Sequence, residues 1–237
     1  MKKLISFGFL TLMIAATASL QAYAAPFYQT GTVGIDVSYP NCSTKLPTAS
    51  FGIVGVNGGR VYNYNSCLAA QAKNFKDLSL YINTGLNDST SSPYFAAALQ
   101  ECNGDTTCAA YHYGYNAAVD SLNYAASQGV SSTKWWLDVE TENTWSTDTL
   151  LNRQSIQGAY DALVASGASL VGVYSTSAQW GSITGGWKNN WPNWGATTWT
   201  TAKQAKTYCT GHEFTGGPTL LIQFADRKSK VSQDLAC

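Results

Sequence analysis

Six short runs rich in β-branched and aromatic residues recur along the chain and predict six β-strands. They cover residues 32–37, 51–57, 78–83, 134–140, 170–174 and 219–224. Between them, apolar residues return at helical spacing, in one stripe over 115–126 and in another over 156–164. This alternation of strands and helices is typical of a parallel sheet with crossover helices, so the pattern predicts an α/β fold.

The helical stripes fade after Tyr174, where tryptophan and glycine become frequent. The second half therefore has fewer clear helices than a regular eightfold barrel needs, and we predict an irregular TIM-type (β/α) barrel. An open doubly wound sheet is the alternative. Neither a GxGxxG motif nor a phosphate loop follows any predicted strand, which disfavours a nucleotide-binding sheet.

The first residues have the form of a signal peptide. Lys2 and Lys3 precede an apolar run over 4–20 and the small-residue sequence Ala22-Tyr23-Ala24. A membrane anchor is the alternative, but polar residues interrupt the run and no basic stop follows it. We expect residues 1–24 to be removed, and residues 25–237 to form one secreted domain without a stable membrane anchor.

All six cysteines lie after the predicted cleavage site, and their even number in an exported chain predicts three disulfides. Their connectivity stays open, although Cys102 with Cys108 and Cys209 with Cys237 are plausible local closures. Zinc ligation is the alternative, but the chain has no CxxC pair. The two histidines, at 112 and 212, are far from any zinc-finger spacing.

The net charge of the exported chain and the motifs that it lacks exclude several classes of function. Signal cleavage would remove two of the 14 basic residues and none of the 14 acidic ones, leaving a net charge of −2. That balance disfavours a nucleic-acid partner, which needs a basic face. The chain has no GxSxG elbow, no HExxH and no calcium loop, so we expect no cofactor and no metal.

Three acidic residues stand late in predicted strands and form the best candidate site. Side chains alternate faces along a strand, so Trp136, Asp138 and Glu140 point the same way, and Asp36 takes the equivalent face of the first strand. Barrel enzymes place catalytic groups at the carboxyl ends of their strands. Three carboxyl groups around one mouth repel one another, so at least one pKa should rise, as acid catalysis near neutral pH requires. Solvated carboxylates at loop ends are the alternative explanation of the spacing.

Aromatic residues support a glycan ligand. The chain has eight tryptophans and 14 tyrosines against only 12% charged residues, and sugar rings stack on aromatic faces. Several of these residues lie in or just after predicted strands, among them Trp136, Tyr174 and Trp180. For each ring taken singly, filling a core is the simpler explanation.

Four motifs, in order, resemble the glycoside hydrolase family 25 lysozymes over nearly the whole exported chain. They are 34–38 (GIDVS), 136–140 (WLDVE), 172–175 (GVYS) with the later Trp180, and 222–224 (IQF). The resemblance implies a barrel of five β/α units followed by three strands. It also implies hydrolysis of the β-1,4 bond between N-acetylmuramic acid and N-acetylglucosamine in peptidoglycan.

Carried over residue by residue, the resemblance assigns Glu140 as general acid, Asp138 as the carboxylate that positions or stabilises the substrate, and Asp36 as a supporting acid. Asp234 matches an acid near the family's C-terminus. We expect the substrate to be bound by Trp136, Tyr174, Gln223, Trp180 and Asp234.

The chain also departs from the family, with 56–59 (VNGG) after the second strand, and its six cysteines resemble a branch of secreted glycoside-hydrolase-like proteins. The sequence therefore favours a secreted, monomeric lysozyme-like glycosidase acting on peptidoglycan or a related β-linked glycan. One alternative is a catalytically weak or inactive glycan-binding module on the same barrel. Another is a structural cell-surface protein with no cleft.

Overall fold

The computed structural model describes residues 26–225 and 229–237, so the predicted signal peptide, 1–24, lies outside the described residues. Eight strands form a closed barrel. They are β1 (Val33–Val37), β2 (Gly52–Gly55), β3 (Leu78–Asn83), β4 (Lys134–Asp138), β5 (Leu170–Ser175), β6 (Asn193–Ala196), β7 (Thr219–Phe224) and β8 (Ser232–Ala236).

Strand order follows chain order around the barrel. Each strand from β1 to β6 pairs in parallel with the next, and β8 closes the barrel by pairing antiparallel with both β7 and β1. The predicted α/β barrel is thus confirmed. The parallel arrangement brings the carboxyl ends of seven strands to one end of the barrel, called the mouth below.

Helices are distributed unevenly around the barrel. They are α1 (Leu68–Ala72), α2 (Pro93–Glu101), α3 (Thr106–Ser127), α4 (Thr149–Ala165), α5 (Ser177–Thr184) and α6 (Ala202–Ala205), with 3-10 turns at Tyr39–Asn41 and Lys206–Tyr208. A helical segment follows each of β1 to β5, and only short ones follow in the described residues beyond β6. This is the irregular barrel that the fading stripes predict.

The two long helices have clear local start and stop signals. Asp105 caps α3 by accepting the backbone N–H groups of Thr107 and Cys108, and Asp148 caps α4 in the same way. Gly129 and Gly167 follow their C-terminal ends with φ of +67° and +90°, in the left-handed region that favours glycine.

The core has two layers. Outward-facing strand residues such as Trp135, Leu137 and Val139 pack against the helices, together with Trp180 of α5. Inward-facing residues such as Ile53, Trp136 and Trp194 fill the interior of the barrel. The interior of the barrel is therefore a packed core, and a substrate of a barrel of this kind binds at the mouth rather than inside it.

Three disulfides join Cys42 to Cys67, Cys102 to Cys108 and Cys209 to Cys237, as the even count predicts. No cysteine in the described part of the chain is free. Cys102, Cys108 and His112 lie close together, but both sulfur atoms are used by the disulfide, so this cluster is not a metal site. None of the described helices combines the length and the apolar character needed to cross a membrane.

Candidate active site

The mouth brings together the acidic residues that the sequence singles out. Asp138 is the last residue of β4 and is 4% exposed, whereas Glu140 lies two residues further on and is partly exposed. The Trp145 indole Nε1 donates to the backbone carbonyl of Glu140 at 2.7 Å. The backbone N–H of Val139 donates to the carbonyl of Tyr174 at 3.0 Å. These contacts hold the short segment after β4 in place.

Asp138 is positioned by the neighbouring strand. In the register of β3 and β4, Asn83 stands beside Asp138, and its Nδ2 donates to Asp138 Oδ2 at 2.7 Å. The hydroxyl of Thr84 donates to the backbone carbonyl of Asp138 at 2.6 Å. Sequence reasoning missed Asn83, although its place at the end of a predicted strand was an available signal.

Asp138 and Glu140 form a coupled carboxyl pair. Burial, followed by the charge of Glu140, raises the pKa of Asp138 well above its usual range. Burial, followed by the charge of Glu142, raises the pKa of Glu140. Asn83 donates to Asp138 Oδ2, whereas no N–H or O–H group in 26–225 or 229–237 donates to Asp138 Oδ1. Because burial and like charge raise both pKa values, the pair retains a proton at a pH where isolated acids are ionised.

Asp36 is held by a chain of polar contacts across the mouth. The hydroxyl of Tyr174 donates to Gln223 Oε1 at 2.8 Å, and Gln223 Nε2 donates to Asp36 Oδ2 at 3.0 Å. Burial raises the pKa of Asp36 to about 6. The structure thus brings Tyr174 and Gln223, both partly exposed, into the same site as the three acids.

Asp234 lies beneath Asp36 and is fully buried. The indole Nε1 of Trp194 donates to Asp234 Oδ1 at 2.8 Å, and the carboxyl of Asp36 is the nearby charge that acts on Asp234. Burial, together with the charge of Asp36, raises the pKa of Asp234 well above its usual range. Asp36 and Asp234 are therefore a second carboxyl pair. The expectation of direct substrate binding by Asp234 is corrected, because no part of its side chain reaches the surface.

Two predicted aromatic contacts are corrected for the same reason. Trp136 is 0% exposed inside the barrel, where its Nε1 donates to the hydroxyl of Tyr28 at 3.0 Å. Trp180 is 1% exposed between helix and sheet, and its Nε1 donates to the carbonyl of Trp187 at 2.7 Å. Neither ring offers a free face to a sugar, so both are core residues.

A cavity of about 330 Å³ opens between the loops that follow β2, β3 and β4. Thr84 and Asn143 line this cavity, and both donate to the backbone carbonyl of Asp138. Two residues of the cavity wall therefore contact the backbone of Asp138, and none of the acids lines the cavity. Sequence reasoning did not identify it, although the departure from the family at 56–59 lies in one of its loops.

Comparison with known proteins gives one family-model match and a set of similar solved structures. The family model described as Lysozyme-like protein 1 matches residues 105–215, a segment that contains Asp138 and Glu140 but not Asp36 or Asp234. A comparison with curated protein sequences finds no significant match.

Solved structures share the fold at low sequence identity. A lysozyme from Streptomyces coelicolor is 19% identical with a TM-score of 0.55, over 88% of this chain and 93% of that chain. A glycosyl hydrolase 25 virulence factor of Streptococcus pneumoniae is 14% identical with a TM-score of 0.55, over 87% of both chains. The autolysin LytC of the same species, solved with a synthetic peptidoglycan ligand, is 13% identical with a TM-score of 0.54, over 86% of this chain and 46% of that chain.

These comparisons show the fold. This chain shares its barrel with solved lysozymes and a glycosyl hydrolase 25 protein, and the mouth of its barrel is rich in carboxyl groups.

Proposed function

We propose that this protein is a secreted lysozyme-like muramidase that hydrolyses the β-1,4 bond between N-acetylmuramic acid and N-acetylglucosamine in peptidoglycan. The observation that carries the proposal is the coupled pair of Asp138 and Glu140, whose pKa values are both raised, at the mouth of a lysozyme-like barrel. An acid that stays protonated near neutral pH is what cleavage of a glycosidic bond requires.

Glu140 is the proposed general acid. It is the more exposed member of the pair, so its proton can reach the oxygen that links the two sugars. As the bond between the anomeric carbon and this oxygen breaks, the proton of Glu140 moves to the leaving sugar. A water molecule then supplies the hydroxyl group at the anomeric carbon and a proton that restores Glu140.

Asp138 and Asp36 are the proposed supporting acids. Asn83 fixes the orientation of Asp138, so that after the pair has lost its proton an anion faces the positive charge on the sugar or holds its acetamido group. Gln223 and Tyr174 fix the orientation of Asp36 on the opposite side of the mouth. We propose that Tyr174 and Gln223 also contact the sugar, and that no cofactor is needed.

The proposed cellular setting is extracellular. Three disulfides are typical of oxidising compartments, and residues 1–24 have the pattern of a signal peptide. The names of the structural neighbours, a lysozyme and an autolysin bound to a peptidoglycan ligand, support a cell-wall glycan as substrate. We propose that the protein acts as a monomer.

The decisive variant is Glu140→Gln, which keeps the shape of the side chain and removes the acid. General acid catalysis contributes about 10² to 10⁴ in rate, so turnover of peptidoglycan should fall by that factor while glycan binding changes little. Asp138→Asn should be comparably harmful, because the transition state loses its nearest anion. Released reducing ends, identified by mass spectrometry, measure turnover.

The control is Glu101→Gln, which changes an exposed acid on α2 that is not among the charges acting on Glu140. It should keep wild-type turnover. Full activity in Glu140→Gln would refute the assignment of the acid. A wild-type protein that binds peptidoglycan but releases no reducing ends would identify a glycan-binding module on the same barrel.

A further inference from the structure

Two stacked tyrosines, Tyr62 and Tyr94, line one side of the 330 Å³ cavity. The rings of Tyr62 and Tyr94 are parallel, with centroids 3.6 Å apart, and Tyr94 is 46% exposed. Tyr62 has a φ of +56°, in the left-handed region that a bulky residue rarely adopts. Its ring also packs edge-on against Tyr113, and its hydroxyl donates to the Tyr113 carbonyl at 3.3 Å. Surrounding contacts thus hold a strained residue in place, which is typical of ligand-binding sites.

The charge of this cavity is opposite to that of the mouth. Arg60 is the one charged residue among those that line the cavity, and none of its lining residues is acidic. Arg60 is exposed and forms no ion pair with any residue in 26–225 or 229–237. The acids of the mouth repel an anionic ligand, whereas a guanidinium group binds a carboxylate through paired hydrogen bonds.

We propose that this cavity is a subsite for a carboxylate-bearing sugar of the glycan chain, with the sugar ring against Tyr94 and its carboxylate on Arg60. This subsite rests on the proposed function, and it names the residues that would make the protein prefer a glycan with a carboxylate. Thr84 and Asn143 line the cavity and donate to the backbone carbonyl of Asp138. The proposal therefore places one glycan chain in the cavity, with a neighbouring glycosidic bond at Glu140.

Two carboxylates of peptidoglycan have this chemistry. One is the lactyl group of a muramic acid that carries no peptide. The other belongs to the peptide, because the lactyl carboxyl is converted to an amide where a peptide is attached. Probes with and without peptide distinguish the two sources.

The test measures binding by the exported full chain carrying Glu140→Gln, so that no probe is cleaved. Three probes are titrated in a calorimeter: chitotetraose, which has no carboxylate, the peptide-free tetrasaccharide of alternating N-acetylglucosamine and N-acetylmuramic acid, and the same tetrasaccharide carrying peptides. At least one carboxylate probe should bind about tenfold more tightly than chitotetraose, as expected for a charge-assisted hydrogen bond. The carboxylate probe that shows the preference identifies the source.

Further substitutions in the same protein distinguish the contribution of the Arg60 charge from that of the Tyr94 ring. Arg60→Gln should abolish the preference and leave chitotetraose binding unchanged. Lys73→Gln makes the same charge change at an exposed site near the opposite end of the barrel, and it should keep the preference. Tyr94→Ala should weaken the binding of all three probes by a similar factor, because it removes the ring and not the charge.

A preference that survives Arg60→Gln, the lack of any preference, or the lack of binding to every probe would overturn the subsite. Turnover of peptidoglycan by the wild-type protein is measured separately. Turnover without an Arg60-dependent preference leaves the proposed function standing and removes the subsite. An Arg60-dependent preference without turnover supports the subsite and removes the proposed hydrolysis.

Discussion

At the scale of single residues, the mouth is organised as two carboxyl pairs with different surroundings. The backbone of Asp138 accepts hydrogen bonds from two residues of the cavity wall, and Glu140 is partly exposed. Asp36 and Asp234 lie across the mouth, and Asp234 is sealed from solvent beneath Asp36. Each pair keeps a proton that isolated carboxyl groups would lose, but only the first pair can deliver it to a substrate. This difference in access explains why two similar pairs serve different roles in the proposed mechanism.

The charge of Glu142 allows the pKa of Glu140 to be changed without replacing Glu140 itself. After burial, this exposed residue is the largest cause that raises the pKa of Glu140. Glu142→Gln should therefore lower the pKa of Glu140 and move the alkaline limb of the activity profile to lower pH, by a few tenths of a unit because solvent screens the charge. The measurement is turnover against pH at low salt.

High salt should reduce this shift, since it screens the same interaction. Glu101→Gln is the matched control and should leave the alkaline limb in place. An unshifted limb in Glu142→Gln would mean that Glu140 does not govern it.

At the scale of elements, the closest helix packing depends on two glycines. A Cβ atom at Gly114 of α3 would collide with the backbone carbonyl oxygen of Ser155 in α4, and one at Gly158 of α4 would collide with that of Tyr111 in α3. The backbones of α3 and α4 can therefore come this close only because each helix lacks a side chain at the point of contact. This contact supports the segments on both sides of β4, and hence the position of Asp138.

A matched pair of substitutions tests this contact. Gly114→Ala should reduce the free energy of unfolding by about 3 kcal/mol, because the backbone of α4 must move. Gly181→Ala, in α5, meets no atom within 4 Å and should instead stabilise the protein by up to about 1 kcal/mol. Urea denaturation measures both, and equal effects of the two changes would contradict the packing argument.

At the scale of the whole molecule, the buried acids couple stability to pH. Burial raises the folded-state pKa of Asp36 to about 6 and raises that of Asp234 well above its usual range, so both exceed their values in the unfolded chain. A raised pKa favours the protonated folded state, so this stabilisation is complete below about pH 4 and is lost as the pH rises through the folded-state values.

Asp234→Asn should remove part of this dependence. The amide can still donate to Asp36 and accept from Trp194, but it does not titrate. The thermal midpoint of the variant relative to wild type should therefore be higher at about pH 7 than at about pH 5. Thermal unfolding followed by circular dichroism at both pH values gives the comparison. A difference between the proteins that does not change with pH would exclude Asp234 as the source.

The disulfides should differ in their contribution to stability. Cys209–Cys237 closes a separation of 28 residues and ties down β8, which closes the barrel, whereas Cys102–Cys108 closes only 6. Replacing both cysteines of the longer link by serine should cost about 1 kcal/mol more than doing so for the shorter one, from chain entropy. Denaturant unfolding of the two double variants measures this, and a reversed order would show that local strain dominates.

The sequence by itself determined the elements whose signals are local. The strands at 78–83 and 219–224 have the bounds that periodicity predicts, and Asp138 and Glu140 share a face because side chains alternate along the chain. The three disulfides were also predictable, because the even number of cysteines and the predicted export of the chain can both be read without knowing the fold. The irregular barrel was also predictable, because helix stripes fade where the helices are short.

Other features of the fold and of the site depend on residues that are far apart in the sequence, so only the tertiary structure decides them. β6 has four residues and β8 has a polar sequence, so neither carries a strand pattern, and both form because the barrel must close with its backbone groups paired. Trp136 and Trp180 have the composition of a sugar platform, but the closed barrel and the helix layer bury them. The contact of Asn83 with Asp138, and that of Asp36 with Asp234, follow from strand register across 55 and 198 positions of chain, and no local pattern encodes such distances.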